Sequence, residues 1–150
     1  MKYQDWQVWG KRPEQLITLE QRAEGNLPEM ESTKQLVKII SEVYKPGMQI
    51  LDVGCNTGHY LKGIRKIDDK LDYTGVDAYE HYINKAKEIF LNDKFAKFHT
   101  RDILEPLFPS QKFDIVYCCN VILHLPDFRI AMKNLLDVTK NVCIIRTLLG

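Results

Sequence analysis

Between residues 32 and 44 the apolar side chains Leu36, Ile39, Ile40, Val43 and Tyr44 recur at spacings of three, four, seven and eight, which predicts one amphipathic helix. The residues STKQ at 32–35 form a capping-box sequence at its start, and KPGM ends it, because Pro46 disfavours helix at Lys45 and Gly47 permits a turn. Ahead of it the first 30 residues carry Tyr3, Trp6 and Trp9 without a clear period, then a polar stretch to Pro28. That segment reads as an arm with short helical turns.

Beyond residue 46 two periods alternate. QILDV, LDYTGVD, KFAKFHT, FDIVYCC and NVCIIRTLL read as five strands. Between them, residues 58–67 place Leu61, Ile64 and Ile67 at helical intervals, and residues 78–91 place Tyr79, Tyr82, Ile83, Ala86, Ile89 and Phe90 on one stripe. Residues 127–138 form a further helix with Ile130, Ala131, Leu135 and Val138 facing inward, while EPLFPSQ, with two prolines, is a loop. Strands alternating with helices predict an α/β fold, a doubly wound parallel sheet of five strands with helices on both faces. The chain divides into an N-terminal arm and helix, residues 1–45, and an α/β core, residues 46–150.

Composition narrows the partners. A chain of 150 residues is the size of one domain, and 27% charged residues with a net charge of +1 give neither disorder nor a basic face for nucleic acid. Lys85, Lys87, Lys94 and Lys97 are interleaved with Glu88 and Asp93, the pattern of a solvated helix face, although RNA stays open. No apolar run approaches the roughly 18 residues of a membrane span, and residues 1–10 lack the apolar stretch of a signal peptide, so a cytoplasmic location is expected. Cys55, Cys118, Cys119 and Cys143 show no C-x-x-C and sit in apolar runs, which predicts free buried thiols. Together with His59, His81, His99 and His124 they have no metal-ligand spacing, and no metal is expected.

The stretch ILDVGCNTGHYL, residues 50–61, puts small and polar residues where a core would want bulk. In an open parallel sheet the ligand crevice lies beyond the carboxyl ends of the strands, so the loop from Gly54 to Gly58 faces it. Two glycines alone make a tight turn. Asp77, 19 residues after Gly58, ends the second strand where an acid can accept hydrogen bonds from ribose hydroxyls, and Asp52 stands two residues before Gly54. A carboxylate beside the loop would repel the pyrophosphate of a dinucleotide, and G-C-N-T-G is not G-x-G-x-x-G, which counts against a nicotinamide-dependent oxidoreductase. An acid suits a nucleoside with a cationic end, for which S-adenosylmethionine is the candidate.

At these residues the chain resembles the class I S-adenosylmethionine-dependent methyltransferases. ILDVGCNTGHYL looks like their first motif, D-x-G-x-G-x-G, with Asn56 in place of the middle glycine. The resemblance implies that Asp52 binds the methionine ammonium directly or through water, and that Gly54 and Cys55 present main chain to the amino-acid moiety. YTGVDAYE resembles the second motif, with Asp77 on the ribose and Ala78 or Tyr79 against the adenine. HTRDILE is similar to the third, which would place Asp102 on the adenine amino group and Ile103 over the ring. FDIVYCCNVILHL looks like the fourth strand and its loop, with Asn120 and Val121 near the methyl donor. The match runs from about Met48 to Arg146.

The activity so implied is methyl transfer to a small-molecule acceptor, in which orientation alone can supply about 7 to 11 kcal/mol of the barrier. If the acceptor must lose a proton, His124 is the first candidate base, with Tyr60 and His59 behind it. Acceptor choice falls to the arm with Trp6 and Trp9 and to the loop after the fourth strand, although those aromatics can equally cover the sheet. A non-catalytic S-adenosylmethionine-binding module is the competing function, the oxidoreductase a more distant one. Members of the family continue past the fifth strand with a helix and an antiparallel strand pair, whereas this sequence stops at Gly150 without strands six and seven. Such an apolar edge strand is expected to be covered, by a missing C-terminal segment or by a second copy in a homodimer.

Overall fold

The computed structural model describes residues 13–148, so Tyr3, Trp6 and Trp9 lie outside the described residues. Its strands are β1 (Gln49–Val53), β2 (Asp72–Asp77), β3 (Ala96–Thr100), β4 (Phe113–Cys119) and β5 (Thr139–Arg146). They form one parallel sheet in the order β3-β2-β1-β4-β5, and the order reverses between β1 and β4. This is the doubly wound α/β sheet that the alternation predicts.

Strands buried on both faces carry apolar side chains in both directions. On one face Ile50, Tyr73, Ile115 and Tyr117 pack under α2 (Glu31–Val43), α3 (Leu61–Ile64) and α4 (Glu80–Ile89), through Leu36, Ile40, Leu61, Ile64, Ile83 and Ala86. On the other, Leu51, Val53, Val76 and Val116 pack under α5 (Arg129–Asp137), through Ala131 and Leu135. β5 ends the sheet, and Val142, Cys143, Ile144 and Ile145 are only half-buried there.

Four local expectations change. The N-terminal segment holds a 12-residue helix, α1 (Pro13–Glu24), instead of short turns. It ends where Asn26 N–H donates to the Gln21 carbonyl at 2.8 Å and Gly25 N–H to that of Arg22 at 3.1 Å, the paired bonds of a left-handed helix stop. No capping box forms on α2. Extended Met30 precedes its first turn, and Ser32 lies inside that turn, with its hydroxyl against Tyr60. Residues 58–67 are helical only over α3, flanked by tighter turns in which Leu61 N–H reaches the Gly58 carbonyl and Ile67 N–H that of Ile64. A Cβ at Gly63 would lie 2.7 Å from Thr33 Cγ2, so α2 crosses this segment at close range. Ile130 is 48% exposed, because the inward stripe of the short α5 runs through Ala131, Asn134, Leu135 and the adjoining Val138.

Candidate functional site

Strand register decides where the two acids go. Asp52 stands opposite Gly75 on β2 and Tyr117 on β4, and Val53 opposite Val76, so Asp77 lies one position beyond the end of β1, level with Gly54. The two carboxylates therefore share a side of the sheet but differ in depth by two residues, roughly 7 Å at the rise of a strand.

Asp77 occupies the upper level. Asn56 N–H donates to its Oδ2 and Tyr79 N–H to its Oδ1, both at 3.0 Å, and the Ala78 amide adds a third favourable contact. It is 7% exposed and opens on a cleft of about 280 Å³. Burial pushes its carboxyl up to about 6, against the amides that favour the charge.

Asp52 sits below that floor, 1% exposed and away from the cleft wall. Tyr73 Oη donates to Asp52 Oδ2 at 2.7 Å. The Tyr117 hydroxyl lies close enough to favour the charge, yet it makes no formed hydrogen bond. Burial outweighs both tyrosines and raises the Asp52 carboxyl to about 7.

The loop between the acids is tied back to β2. Gly54 and Cys55 both donate their N–H to the Val76 carbonyl, at 2.8 and 3.0 Å, so these amides hold β2 and are not offered to a ligand. Gly54 lines the cleft, at φ 82°, and a Cβ there would come within 2.2 Å of Val121 Cγ2. Cys55 is wholly buried under the loop, and its thiol is pushed up by burial. Asn56 adopts φ 51°, a left-handed conformation that asparagine tolerates, and its side-chain amide donates to the Gly54 carbonyl at 3.3 Å. The departure from glycine thus costs the loop little. Gly58 lies off the cleft wall, where a Cβ would meet the Phe90 ring at 2.8 Å, and so serves packing.

The remaining expected residues converge on the cleft. Ala78, Tyr79, Asp102, Ile103, Asn120, Val121, Tyr60 and His124 all line it. Asp102 also closes a turn by accepting from Leu104 N–H at 2.9 Å, and Ile103 is fixed from behind by Asn134, whose Nδ2 donates to its carbonyl at 2.8 Å. Asn120, at φ 59°, accepts from Arg146 Nη1 through Oδ1 at 2.7 Å. His124 sits on a 3₁₀ turn (Ile122–His124), and burial lowers its pKa, which leaves the ring neutral near pH 7. Tyr60 lies beside Ser32 and Cys119, its ring edge-on to Tyr117, and burial pushes its hydroxyl up to about 12. It can donate a hydrogen bond but is no base near neutrality. His59 lines the cleft too, lowered to about 4 by burial and then by Arg22.

Residues the sequence did not single out complete the walls. Leu19 of α1, with Met30 and Ser32 at the start of α2, forms a roof, tied down where Thr57 Oγ1 donates to the Leu19 carbonyl at 2.9 Å. Cys119 follows from strand alternation, two positions after Tyr117, and burial raises its thiol to about 12. Tyr82 packs edge-on to Tyr79, and Arg101 holds the Asp77 carbonyl through its own N–H at 2.9 Å. The Arg101 guanidinium lies 5.6 Å from the Phe108 ring centre. Among the described residues that line the cleft, Arg101 is the one arginine or lysine, against the two carboxylates of Asp77 and Asp102.

A family model described as a methyltransferase domain matches residues 44–148. The 2-methyl-6-phytyl-1,4-hydroquinone methyltransferase of Synechocystis sp. is 34% identical over 95 residues, which cover 63% of this chain and 30% of that protein. Cycloartenol-C-24-methyltransferase of Arabidopsis thaliana is 34% identical over 101 residues, 64% of this chain and 29% of that one. This chain thus spans less than a third of the length of these relatives. The solved structure of the plantazolicin methyltransferase BpumL in complex with SAH superposes with a TM-score of 0.70 at 23% identity, covering 95% of this chain and 56% of that one, a likeness of fold.

Proposed function

The chain belongs to the methyltransferase-domain family, and from that premise we propose that residues 46–150 are an S-adenosylmethionine-binding core that transfers a methyl group to a small-molecule acceptor. The observation that carries this is the charge of the cleft at the β1/β4 switch point, where Asp77 and Asp102 outnumber Arg101. An acidic cleft suits a cationic nucleoside and opposes the pyrophosphate of a nicotinamide dinucleotide. The donor set fits as well, with the Asp77 carboxylate for ribose hydroxyls, Tyr79 and Ala78 beside the base, Asp102 for its amino group and Ile103 over its face. Asn120, Val121 and the loop from Gly54 to Asn56 flank the other end, with Asp52 buried below them and bonded by Tyr73.

When bound, S-adenosylmethionine supplies an electrophilic methyl group on a sulfonium, open to in-line displacement. The protein's part is to orient and to exclude water. The roof of Leu19 and Met30 covers the cleft, Tyr60 can donate a hydrogen bond into it, and neutral His124 can accept a proton from an acceptor hydroxyl or amine. The relatives named for a hydroquinone and for cycloartenol support a small-molecule acceptor. Four free cysteines, three of them buried, support a reducing compartment such as the cytoplasm. No helix among the described residues is long and apolar enough to cross a membrane. The edge position of β5 supports covering by further chain or by a second copy, and light scattering would register the second as twice the monomer mass.

Calorimetric titration tests the cofactor. S-adenosylhomocysteine should give saturable heat and NADH none; the reverse would assign the cleft to a dinucleotide. Label from a methyl-tritiated donor then separates an enzyme from a binding module.

A further inference from the structure

Beside the cleft lies a second cavity of about 190 Å³, between the α1–α2 connection and α3. Arg22, Lys62 and Lys66 line it against one carboxylate, that of Glu29, which pairs with Lys66 at 2.9 Å. Lys62 Nζ donates to the Glu24 carbonyl at 2.9 Å, which fixes the ammonium at the rim without neutralising it. Arg22 makes no ion pair among the described residues. Two positive charges are therefore left over.

The wall shared with the cleft is made by His59 and Met30. His59 is 9% exposed, and its Nδ1 has no hydrogen-bond partner. Most buried polar atoms find a partner, so a buried ring nitrogen with nothing to bond needs one, from a ligand or from water. The imidazole stays neutral near pH 7, so as the Nδ1–H tautomer it offers one N–H to an oxygen.

We propose that this second cavity receives an anionic group, a carboxylate or a phosphate, of the methyl acceptor, whose reacting atom extends past His59 into the cleft. The acceptor is then an acidic small molecule, with Arg22 and Lys62 supplying charge and His59 a hydrogen bond. Assigning the anion to the acceptor rests on the methyl-transfer function proposed above.

Nuclear magnetic resonance of the His59 ring in the whole chain tests this, with inorganic phosphate as probe and chloride as the ionic-strength control. Phosphate should shift the ring resonances saturably, equally with and without saturating S-adenosylhomocysteine. The Arg22→Gln/Lys62→Gln double variant should weaken that binding about tenfold while its affinity for S-adenosylhomocysteine stays unchanged. Absence of a saturable shift in the wild type, or an equal one in the double variant, overturns the site. Displacement of phosphate by S-adenosylhomocysteine would give the cavity to the cofactor's own carboxylate and overturns the acceptor assignment. Failure of the wild type to bind S-adenosylhomocysteine is read in a separate titration and counts against the methyl-transfer function itself.

Discussion

Asp52 and Asp77 stand near the ends of adjacent strands, on the same side of the sheet, and both carboxyls are raised by burial, yet they are held differently. Asp77 is held by main-chain amides at the cleft surface, whereas Asp52, two positions deeper, is met by the Tyr73 hydroxyl. Amides point where the backbone points and leave the remaining lone pairs of a carboxylate open to a ligand. A tyrosine reaching up from the core closes the carboxylate off. In a parallel sheet, depth along the strand separates an acid that opens on a cleft from one closed off beneath it more sharply than the residue type does.

The comparison breaks most visibly in the pH dependence of stability. The Asp52 carboxyl is raised to about 7 in the folded chain, from the ordinary 3.8. Between those values the unfolded chain has released the proton and the folded chain has not, so stability falls as pH rises through that window and levels off above it. Asp52→Asn keeps an acceptor for Tyr73 and removes the charge. Relative to this variant the wild type should lose about 4 kcal/mol from pH 4 to pH 8 in urea melts. A pH-independent difference would mean that the charge is compensated in place.

Next comes affinity. Asp77→Ala should weaken S-adenosylhomocysteine binding about 100-fold, or roughly 3 kcal/mol, by losing charge-assisted bonds to the ribose and the anchor of the Asn56 amide. Asp52→Asn should cost less than about fivefold in the same titration, as suits a group under the floor. Equal losses would put both acids on the ligand.

Smaller effects probe the loop level with Asp77. Gly54→Ala would place a methyl against Val121 at a positive φ, and should destabilise the fold by about 2 kcal/mol by chemical denaturation. Asn56→Ala should cost about 1 kcal/mol, and Asn56→Gly less, because glycine keeps the left-handed backbone and loses only the long bond to the Gly54 carbonyl.

The strand and helix periods were legible because buried strands need unbroken apolar runs; FDIVYCC matches β4 residue for residue. Helix α1 was not, since Ala23 is its one buried hydrophobic residue and Ile17 faces solvent. Its Leu19, and with it the roof of the cleft, went unseen for the same reason. The site loop was legible from Gly54 and Asp77, which sit where sterics and a strand end require them. The depth of Asp52 was not, because it depends on pairing with Gly75, and register is a property of two strands that neither sequence carries alone. The cavity behind His59 is assembled by α1, α2 and α3 meeting, which no local pattern announces.

Thr57 is wholly buried, and its hydroxyl bond to the Leu19 carbonyl stitches the roof to the loop beneath. Such a stitch makes the N-terminal helix a reporter. Its amide protons should exchange with deuterium more slowly once the cleft is filled, although no ligand need ever touch them.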